Sequence, residues 1–170
     1  MAVTLVVQDG TGKLDANSYV TVTKADSLLL ANPYAESWVN LDSQEKAKYL
    51  ILSSTRLDQL CEWAGTKKFS GASLRFPRYD VYDKDGNYYS SESIPSPVEE
   101  ATAYLAWYYS SENRAAEFSD LGIDRVRVDV IEVRFNKGDR KSVIPREVSY
   151  ILRGIARINS VQRVGRLVRS

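Results

Sequence analysis

The densest apolar segment of the chain runs from Ile94 to Tyr109, with the sequence IPSPVEEATAYLAWYY. At a period of 3.6 residues its apolar positions line one face, and further apolar residues cover most of the other faces. Ser96, Pro97 and Glu99 have the pattern of a helix start, with a capping serine, a proline at the first helical position and the acid of a capping box. Because a helix that is apolar nearly all round is usually buried, we expect this segment to be the central helix of the fold.

Helical patterns also occur before and after this segment. Thr23–Asp26 has capping-box spacing and begins a helix of about two turns that stops near Pro33. The range 42–63 has caps at its start and apolar residues at helical spacing to its end, which predicts the most regular amphipathic helix of the chain. Pro145 begins a last predicted helix, which runs to about Val168 and carries an apolar stripe between arginines.

Alternation of apolar and polar residues predicts short strands between the last two helices. In Arg125–Phe135 the phase of the alternation shifts at Ile131, where we expect a turn or bulge.

Asp83–Asn87 is rich in turn residues and predicts a hairpin-like turn ahead of the central helix. Its acids have the spacing of the start of an EF-hand loop, but Tyr88 and Ile94 stand where that loop needs a glycine and an acid. We therefore do not expect a calcium site.

The composition is that of a globular protein with one domain. The chain has 170 residues, of which 44% are hydrophobic and 26% charged, which suits a single core. No apolar run approaches the roughly 20 residues needed to cross a bilayer, and the first residues lack the basic region of a signal peptide. We therefore expect a cytosolic type of sequence with no membrane partner.

The sequence contains no histidine, which excludes several kinds of chemistry. A Ser-His-Asp or Cys-His nucleophile, a histidine-ligated metal and an imidazole base are all impossible. Carboxylate or lysine chemistry stays open, but no pair of acids stands out and no glycine-rich phosphate loop is present. Cys61, the single cysteine, lies among apolar residues and is expected to be a small buried side chain. We expect no enzymatic activity, no cofactor and no metal.

Charge is distributed unevenly along the chain. The net charge is +1, but residues 1–147 hold 18 basic and 22 acidic side chains, and no acid follows Glu147. An acidic body that ends in a basic segment usually indicates a surface for a partner. We divide the chain into a single domain, 1–158, and a basic C-terminal extension, 159–170. The basic residues after Glu147 are Arg153, Arg157, Arg163, Arg166 and Arg169.

Several short motifs follow one another along residues 16–158, and their order and spacing carry more weight than any one of them. They are Asn17-Ser18-Tyr19-Val20, Ser54-Thr55-Arg56-Leu57-Asp58, Trp63-x-Gly65, Phe76-Pro77-Arg78, the Asp-x-Asp-Gly turn at 83–86, Ile94-Pro95 and Ile131-Glu132-Val133. In this arrangement they resemble the head-to-tail connector, or adaptor, proteins of tailed bacteriophages. Related chains carry the label DnaT-like single-stranded-DNA-binding protein.

The resemblance implies a mainly α fold, a small bundle of about four helices with a β-hairpin or short antiparallel strands and an extended C-terminal arm. It also implies a ring, usually of twelve copies, that docks on the portal protein, prolongs the DNA channel and receives tail or nozzle proteins. Packaged double-stranded DNA passes through such a ring without sequence-specific contact, and the protein lies in the neck of the virion. The arm maps onto residues from about Ser149, so the arginines after Glu147 become predicted portal contacts.

Two classes of function remain open. As a ring component, the protein is predicted to use Tyr104, Trp107 and Tyr108 for subunit contacts, because amphipathic aromatic residues suit such interfaces. The alternative is a single-stranded-DNA-binding protein, in which the terminal arginines hold phosphates and exposed aromatic residues stack on bases. The aromatic residues can equally fill the core. The candidate stacking residues are Tyr88, Tyr89, Trp107, Tyr108 and Tyr109.

Overall fold

The computed structural model describes residues 2–111, 125–128, 131–134 and 142–158. These residues form five α-helices and six short β-strands that pair antiparallel. The fold is therefore mixed α/β, which agrees in part with the small helical domain with short antiparallel strands that we expected. The helices are α1 (Val22–Leu29), α2 (Glu36–Val39), α3 (Ser43–Leu60), α4 (Ser96–Ser111) and α5 (Arg146–Ile151). The strands are β1 (Cys61–Trp63), β2 (Thr66–Lys67), β3 (Arg78–Tyr79), β4 (Arg125–Val128), β5 (Ile131–Arg134) and β6 (Ala156–Ile158).

α4 is the central helix, as its apolar pattern predicts. It packs against α1, α2, α3 and α5, and most extensively against α3. Val98, Ala101 and Leu105 are completely buried on the side of α4 that faces α5, and Ala103 and Ala106 are buried on the side that faces α1 and α2. Full burial of a leucine-sized side chain contributes about 1.5–3 kcal/mol. The two halves of the core therefore depend on this one helix.

The start of α4 differs from the predicted capping box. The Pro95 carbonyl accepts hydrogen bonds from the backbone N–H groups of Val98 at 2.9 Å and Glu99 at 3.4 Å. The Glu99 carboxylate does not fold back on the helix start but pairs with Lys24 Nζ of α1 at 2.5 Å. A residue predicted to cap α4 thus connects two helices instead.

Of the capping boxes predicted for α1 and α3, only the one at α3 is formed as predicted. The Asp42 carboxylate accepts a hydrogen bond from the Glu45 backbone N–H at 2.8 Å, and the Glu45 carboxylate accepts one from the Asp42 N–H at 3.2 Å. The capping box predicted for α3 is therefore confirmed. α1 begins earlier than predicted, because Thr21 Oγ1, and not Thr23, accepts a hydrogen bond from the Lys24 N–H at 3.1 Å.

Two predicted helices end early because their last residues form a strand pair. α3 stops before the predicted Trp63, and the last predicted helix stops at the end of α5. β1 and β6 follow these ends and pair antiparallel, with Cys61 opposite Ile158. Gly154, at φ +94°, makes the turn that leads from α5 into β6. Tertiary pairing overrides the helical spacing of the apolar residues here. Residues 159–168 of the predicted helix, and the part of the predicted arm after Ile158, lie outside the described residues.

β4 and β5 form the hairpin that the alternating pattern predicts. They are antiparallel, with Val126 opposite Val133 and Val128 opposite Ile131. This register leaves two residues, 129 and 130, between the strands. The chain therefore reverses directly before Ile131, where the phase of the alternation shifts.

A close contact joins the segment after β1 to β3. The Arg78 guanidinium donates from Nε to the Ala64 carbonyl at 2.7 Å and from one terminal nitrogen to the Gly65 carbonyl at 2.6 Å. Gly65 has φ +68°, and a Cβ at this position would lie 1.9 Å from the Tyr79 carbonyl oxygen. The motif glycine and the motif arginine are thus both needed for the two segments to approach.

Replacing Gly65 by alanine should destabilise the fold more than replacing Gly86. Both glycines have positive φ, 68° and 85°, so both variants carry a backbone cost of about 1–2 kcal/mol. Only Gly65 faces a carbonyl oxygen, whereas a Cβ at Gly86 meets no atom within 4 Å. We expect Gly65→Ala to lose at least about 2 kcal/mol more in the free energy of unfolding, measured by urea denaturation. Equal losses would contradict this geometry.

Candidate nucleic-acid surface

Most of the motifs before the central helix meet in one buried cluster around Asp58 of α3. The Asp58 carboxylate accepts hydrogen bonds from the Tyr19 hydroxyl at 2.6 Å and from Trp63 Nε1 at 3.0 Å. It accepts a third from the Arg75 backbone N–H at 3.0 Å. The rings of Tyr19, Trp63 and Phe76 pack edge to face, with centroids 5.0 to 6.4 Å apart. Segments far apart in sequence are thereby joined at one carboxylate.

This cluster has the properties of a structural element. Burial raises the pKa of the Asp58 carboxyl, and the hydrogen bonds donated by Tyr19 and Arg75 oppose that rise. Burial also raises the pKa of the Tyr19 hydroxyl well above its usual value. The adjacent Cys61 thiol is buried, with its pKa raised to about 12, which confirms the buried side chain expected from the sequence. The buried polar groups thus satisfy one another and leave no reactive group exposed.

Residues 81–89 form a hairpin, as their turn residues predict, and it carries two exposed tyrosines. The Asp83 backbone N–H donates to the Asn87 carbonyl at 2.9 Å, and the Asp83 carboxylate accepts from the Asn87 side-chain amide at 2.8 Å. This amide and nearby backbone donors lower the pKa of the Asp83 carboxyl. Tyr82 and Tyr88 pair across the hairpin with ring centroids 5.7 Å apart, and their exposed fractions are 48% and 52%. Exposed rings of this kind can stack on bases.

The C-terminal segment passes beside this hairpin at Gly154. Gly154 packs so closely against it that a Cβ would lie 3.3 Å from the Lys84 nitrogen. Lys84, Arg153 and Arg157 are all exposed, and Arg157 lies opposite Glu62 in the β1–β6 pair. Two exposed rings and three cations therefore come from neighbouring segments. We call these residues the hairpin surface: Tyr82, Lys84, Tyr88, Arg153 and Arg157.

The three predicted subunit-contact residues form one aromatic patch on α4. Trp107 packs against Tyr104 and Tyr108, with ring centroids 6.1 and 4.5 Å away. Trp107 is only 9% exposed and belongs to the core between α1, α2 and α4, while the two tyrosines are half-buried. The buried Trp107 Nε1 has no hydrogen-bond partner in the described part of the chain. A contact of this patch with another subunit stays a prediction.

The structure separates the candidate stacking residues. Tyr88 is exposed and Tyr89 half-buried, but Trp107 and Tyr109 are buried within their own chain. For Trp107 and Tyr109 the interpretation that the aromatic residues fill the core is confirmed, because α4 is covered on most of its sides. Tyr82 was missed. The sequence position of Tyr82 could have identified it. Tyr82 flanks the predicted turn opposite Tyr88, and residues opposite each other in a hairpin share one face.

The predicted basic residues are only partly within the structure. Arg153 and Arg157 are exposed, and Arg163, Arg166 and Arg169 lie outside the described residues. In the ranges that the structure describes, no three histidine, cysteine, aspartate or glutamate residues group so that they could hold a metal ion. Within the same ranges, no helix has the length and apolar character needed to span a bilayer.

Comparison with known proteins places the chain in a family. Residues 3–170 match the model of a family described as "Putative DnaT-like ssDNA binding protein". The chain belongs to this DnaT-like family. The matched range includes the hairpin surface and the basic residues after residue 158. No curated protein and no solved structure was found to match the chain. Of the resemblance noted in the sequence, the DnaT-like part is therefore supported, and the phage-connector part receives no support from these comparisons.

Replacing Asp58 by asparagine should change how the stability of this DnaT-like protein depends on pH. A carboxyl whose pKa is raised by folding binds its proton more readily in the folded state. The contribution of the Asp58 carboxyl to stability is therefore greatest at low pH. It falls as the pH rises from about 3.9, the pKa of this group in the unfolded chain, through the raised pKa of the folded protein. Asparagine does not titrate, so the stability of the wild type relative to Asp58→Asn should decrease as the pH rises above about 4.

Urea denaturation of both proteins at a series of pH values measures this difference. Asp15→Asn, at an exposed position, is the matched control, and its stability should follow the wild type at every pH. A wild type that gains stability relative to Asp58→Asn over the same pH range would contradict the raised pKa.

Proposed function

We propose that this protein binds single-stranded DNA through the hairpin surface and the basic residues that follow it along the chain. Membership of the DnaT-like family carries the proposal. The exposed pair Tyr82 and Tyr88, beside exposed cations on the C-terminal segment, supports it.

Single-stranded DNA has two features that the hairpin surface matches. Its bases stack on aromatic rings, and each stacked base contributes about 1–3 kcal/mol. Its phosphates attract Lys84, Arg153 and Arg157, and a guanidinium group can bind two phosphate oxygens at once. Neither interaction depends on base identity, so we expect binding without sequence preference.

The acidic body of the chain confines this binding to one region. Residues 1–147 hold more acids than bases, whereas no acid follows Glu147. Phosphates are therefore repelled by most of the domain and attracted near its C-terminal segment. Binding of this kind weakens as salt is added, because it depends on the release of counterions from the DNA.

Replacing Tyr82 or Tyr88 by alanine should weaken binding to a fluorescently labelled oligo(dT) roughly tenfold, because each ring provides one stacking surface. Both side chains are about half exposed, so the fold should be retained. Tyr34→Ala, at a tyrosine that is 79% exposed outside the hairpin surface, is the matched control and should bind like the wild type. Fluorescence anisotropy measures the affinity.

The same titrations at several salt concentrations test the cations. Arg153→Ala and Arg157→Ala should each reduce the slope of log K against log salt by about 0.7, the value for one phosphate contact on a single strand. Salt-independent binding, or equal binding by the tyrosine variants and Tyr34→Ala, would contradict the proposal.

A second candidate function is that of a ring-forming neck adaptor docked on the portal of a tailed phage. The exposed apolar side chains of Leu30 and Val39 favour it, since apolar groups clustered at a surface mark protein contacts. In this function the arginines after Glu147 contact the portal and the α4 aromatic patch contacts a neighbouring subunit. DNA leaving through such a ring needs no tight contact, so tight binding of single strands argues against this function.

An adaptor should assemble into a ring when purified portal is added. Twelve copies of the 19.2 kDa chain give a particle of about 230 kDa, which mass photometry or electron microscopy can detect. A chain that ends after Ile158 should keep its fold but no longer attach, because it lacks the last three of the predicted portal arginines. Persistent monomer in the presence of portal, or unchanged attachment of the shortened chain, would contradict this function.

A further inference from the structure

A groove lies between α1 and α2. Its volume is about 530 Å³, and its lining includes the buried side chains of Leu29 and Trp38. The lining also includes two apolar side chains that are unusually exposed, Leu30 at 85% and Val39 at 67%. A monomer rarely groups such side chains without a partner. We call this feature the α1–α2 groove.

The charges around the groove indicate what it can hold. Asp26 is already engaged, because it accepts a hydrogen bond from Trp38 Nε1 at 2.7 Å and pairs with Lys46 Nζ at 3.0 Å. Glu36, which lines the groove from α2, is exposed and has no ion pair within the described part of the chain. The groove therefore combines an apolar floor with one uncompensated carboxylate. An apolar segment with positive charges along its edge fits both properties.

We infer that the occupant is the C-terminal segment, residues 159–170, of a second copy of this chain. On a helical period, the apolar residues of this segment fall on one face and its arginines on the opposite face. The apolar face matches the floor of the groove, and an arginine at the border of the two faces can pair with Glu36. The apolar residues are Val161, Val164, Leu167 and Val168, and the arginines are Arg163, Arg166 and Arg169.

The length of α3 favours a second copy over the same chain. Lys46, which lines the groove, lies near the start of α3, and Ile158 pairs with Cys61 directly after its end. At 1.5 Å per residue these positions are about 22 Å apart along the helix. An extended chain needs about seven residues to cover that distance. If the segment reached the groove of its own chain, Val161 and Val164 would have to span this distance and could not dock. The segment of a second copy can present its whole apolar face.

The inference does not depend on whether the protein binds DNA, and self-association tests it directly. The full chain should associate in a concentration-dependent manner in sedimentation velocity experiments, without DNA or portal. Leu30→Asp/Val39→Asp in the groove and Val164→Asp/Leu167→Asp in the C-terminal segment should each weaken this association at least tenfold. Leu14→Asp, at an apolar residue that is 74% exposed outside the groove, is the matched control and should associate like the wild type.

Mixing the two double variants identifies the occupant. Each retains one intact half, so the groove variant supplies a segment and the segment variant supplies a groove. The mixture should form a one-to-one heterodimer at concentrations at which neither protein associates alone. A monomeric wild type, double variants that associate like the wild type, or a mixture that stays monomeric would each overturn the inference. Circular dichroism confirms that each variant is folded, and both variants keep every arginine, so DNA binding by anisotropy is assessed separately.

Discussion

The partly buried carboxylate of Asp58 is the constraint on which the arrangement of this protein depends. Shielding an ionised group from water costs free energy unless the group is hydrogen-bonded. Here Tyr19, Trp63 and Arg75 supply the donors, and they come from the N-terminal segment, β1 and the loop before β3. Satisfying one charge therefore fixes three segments against α3. Removal of any one donor would leave the carboxylate partly unpaired, which is why these motif residues act together.

The position of β1 then determines where the C-terminal segment lies. Because Trp63 is held by Asp58, β1 is fixed at the end of α3, and β6 pairs with it. This pairing brings Gly154 against Lys84, and so the C-terminal segment that carries Arg153 and Arg157 passes beside the tyrosine hairpin. The α1–α2 groove lies near the other end of α3, where Lys46 contributes to its lining. One helix thus separates a cationic, aromatic surface from an apolar one.

Most local patterns in the sequence predict the structure, apart from the capping boxes expected at Thr23 and Ser96, whereas the long-range pairing does not follow from the sequence. The capping box of Asp42 and Glu45, the turn at Asp83–Asn87 and the burial of α4 follow from residues close to one another in the chain. The β1–β6 pair joins Cys61 to Ile158, and its apolar residues fit a helical spacing equally well, so no local pattern distinguishes the two structures. The hairpin surface was only half predicted for the same reason, since its cations and its rings meet through that pairing.

The hairpin surface and the α1–α2 groove should respond differently to salt, so salt can separate their two proposed interactions. Phosphate contacts to arginines weaken steeply with added salt, whereas burial of apolar side chains does not depend on charge. The last residues of the chain carry both kinds of group on opposite faces of a helical period, so docking of the apolar face leaves most of the arginines exposed. Self-association through the groove would then bring cations from two copies towards one nucleic-acid strand. Such a dimer would bind DNA more tightly than a single copy, because it would hold more phosphate-binding groups close together without any new contact within either copy.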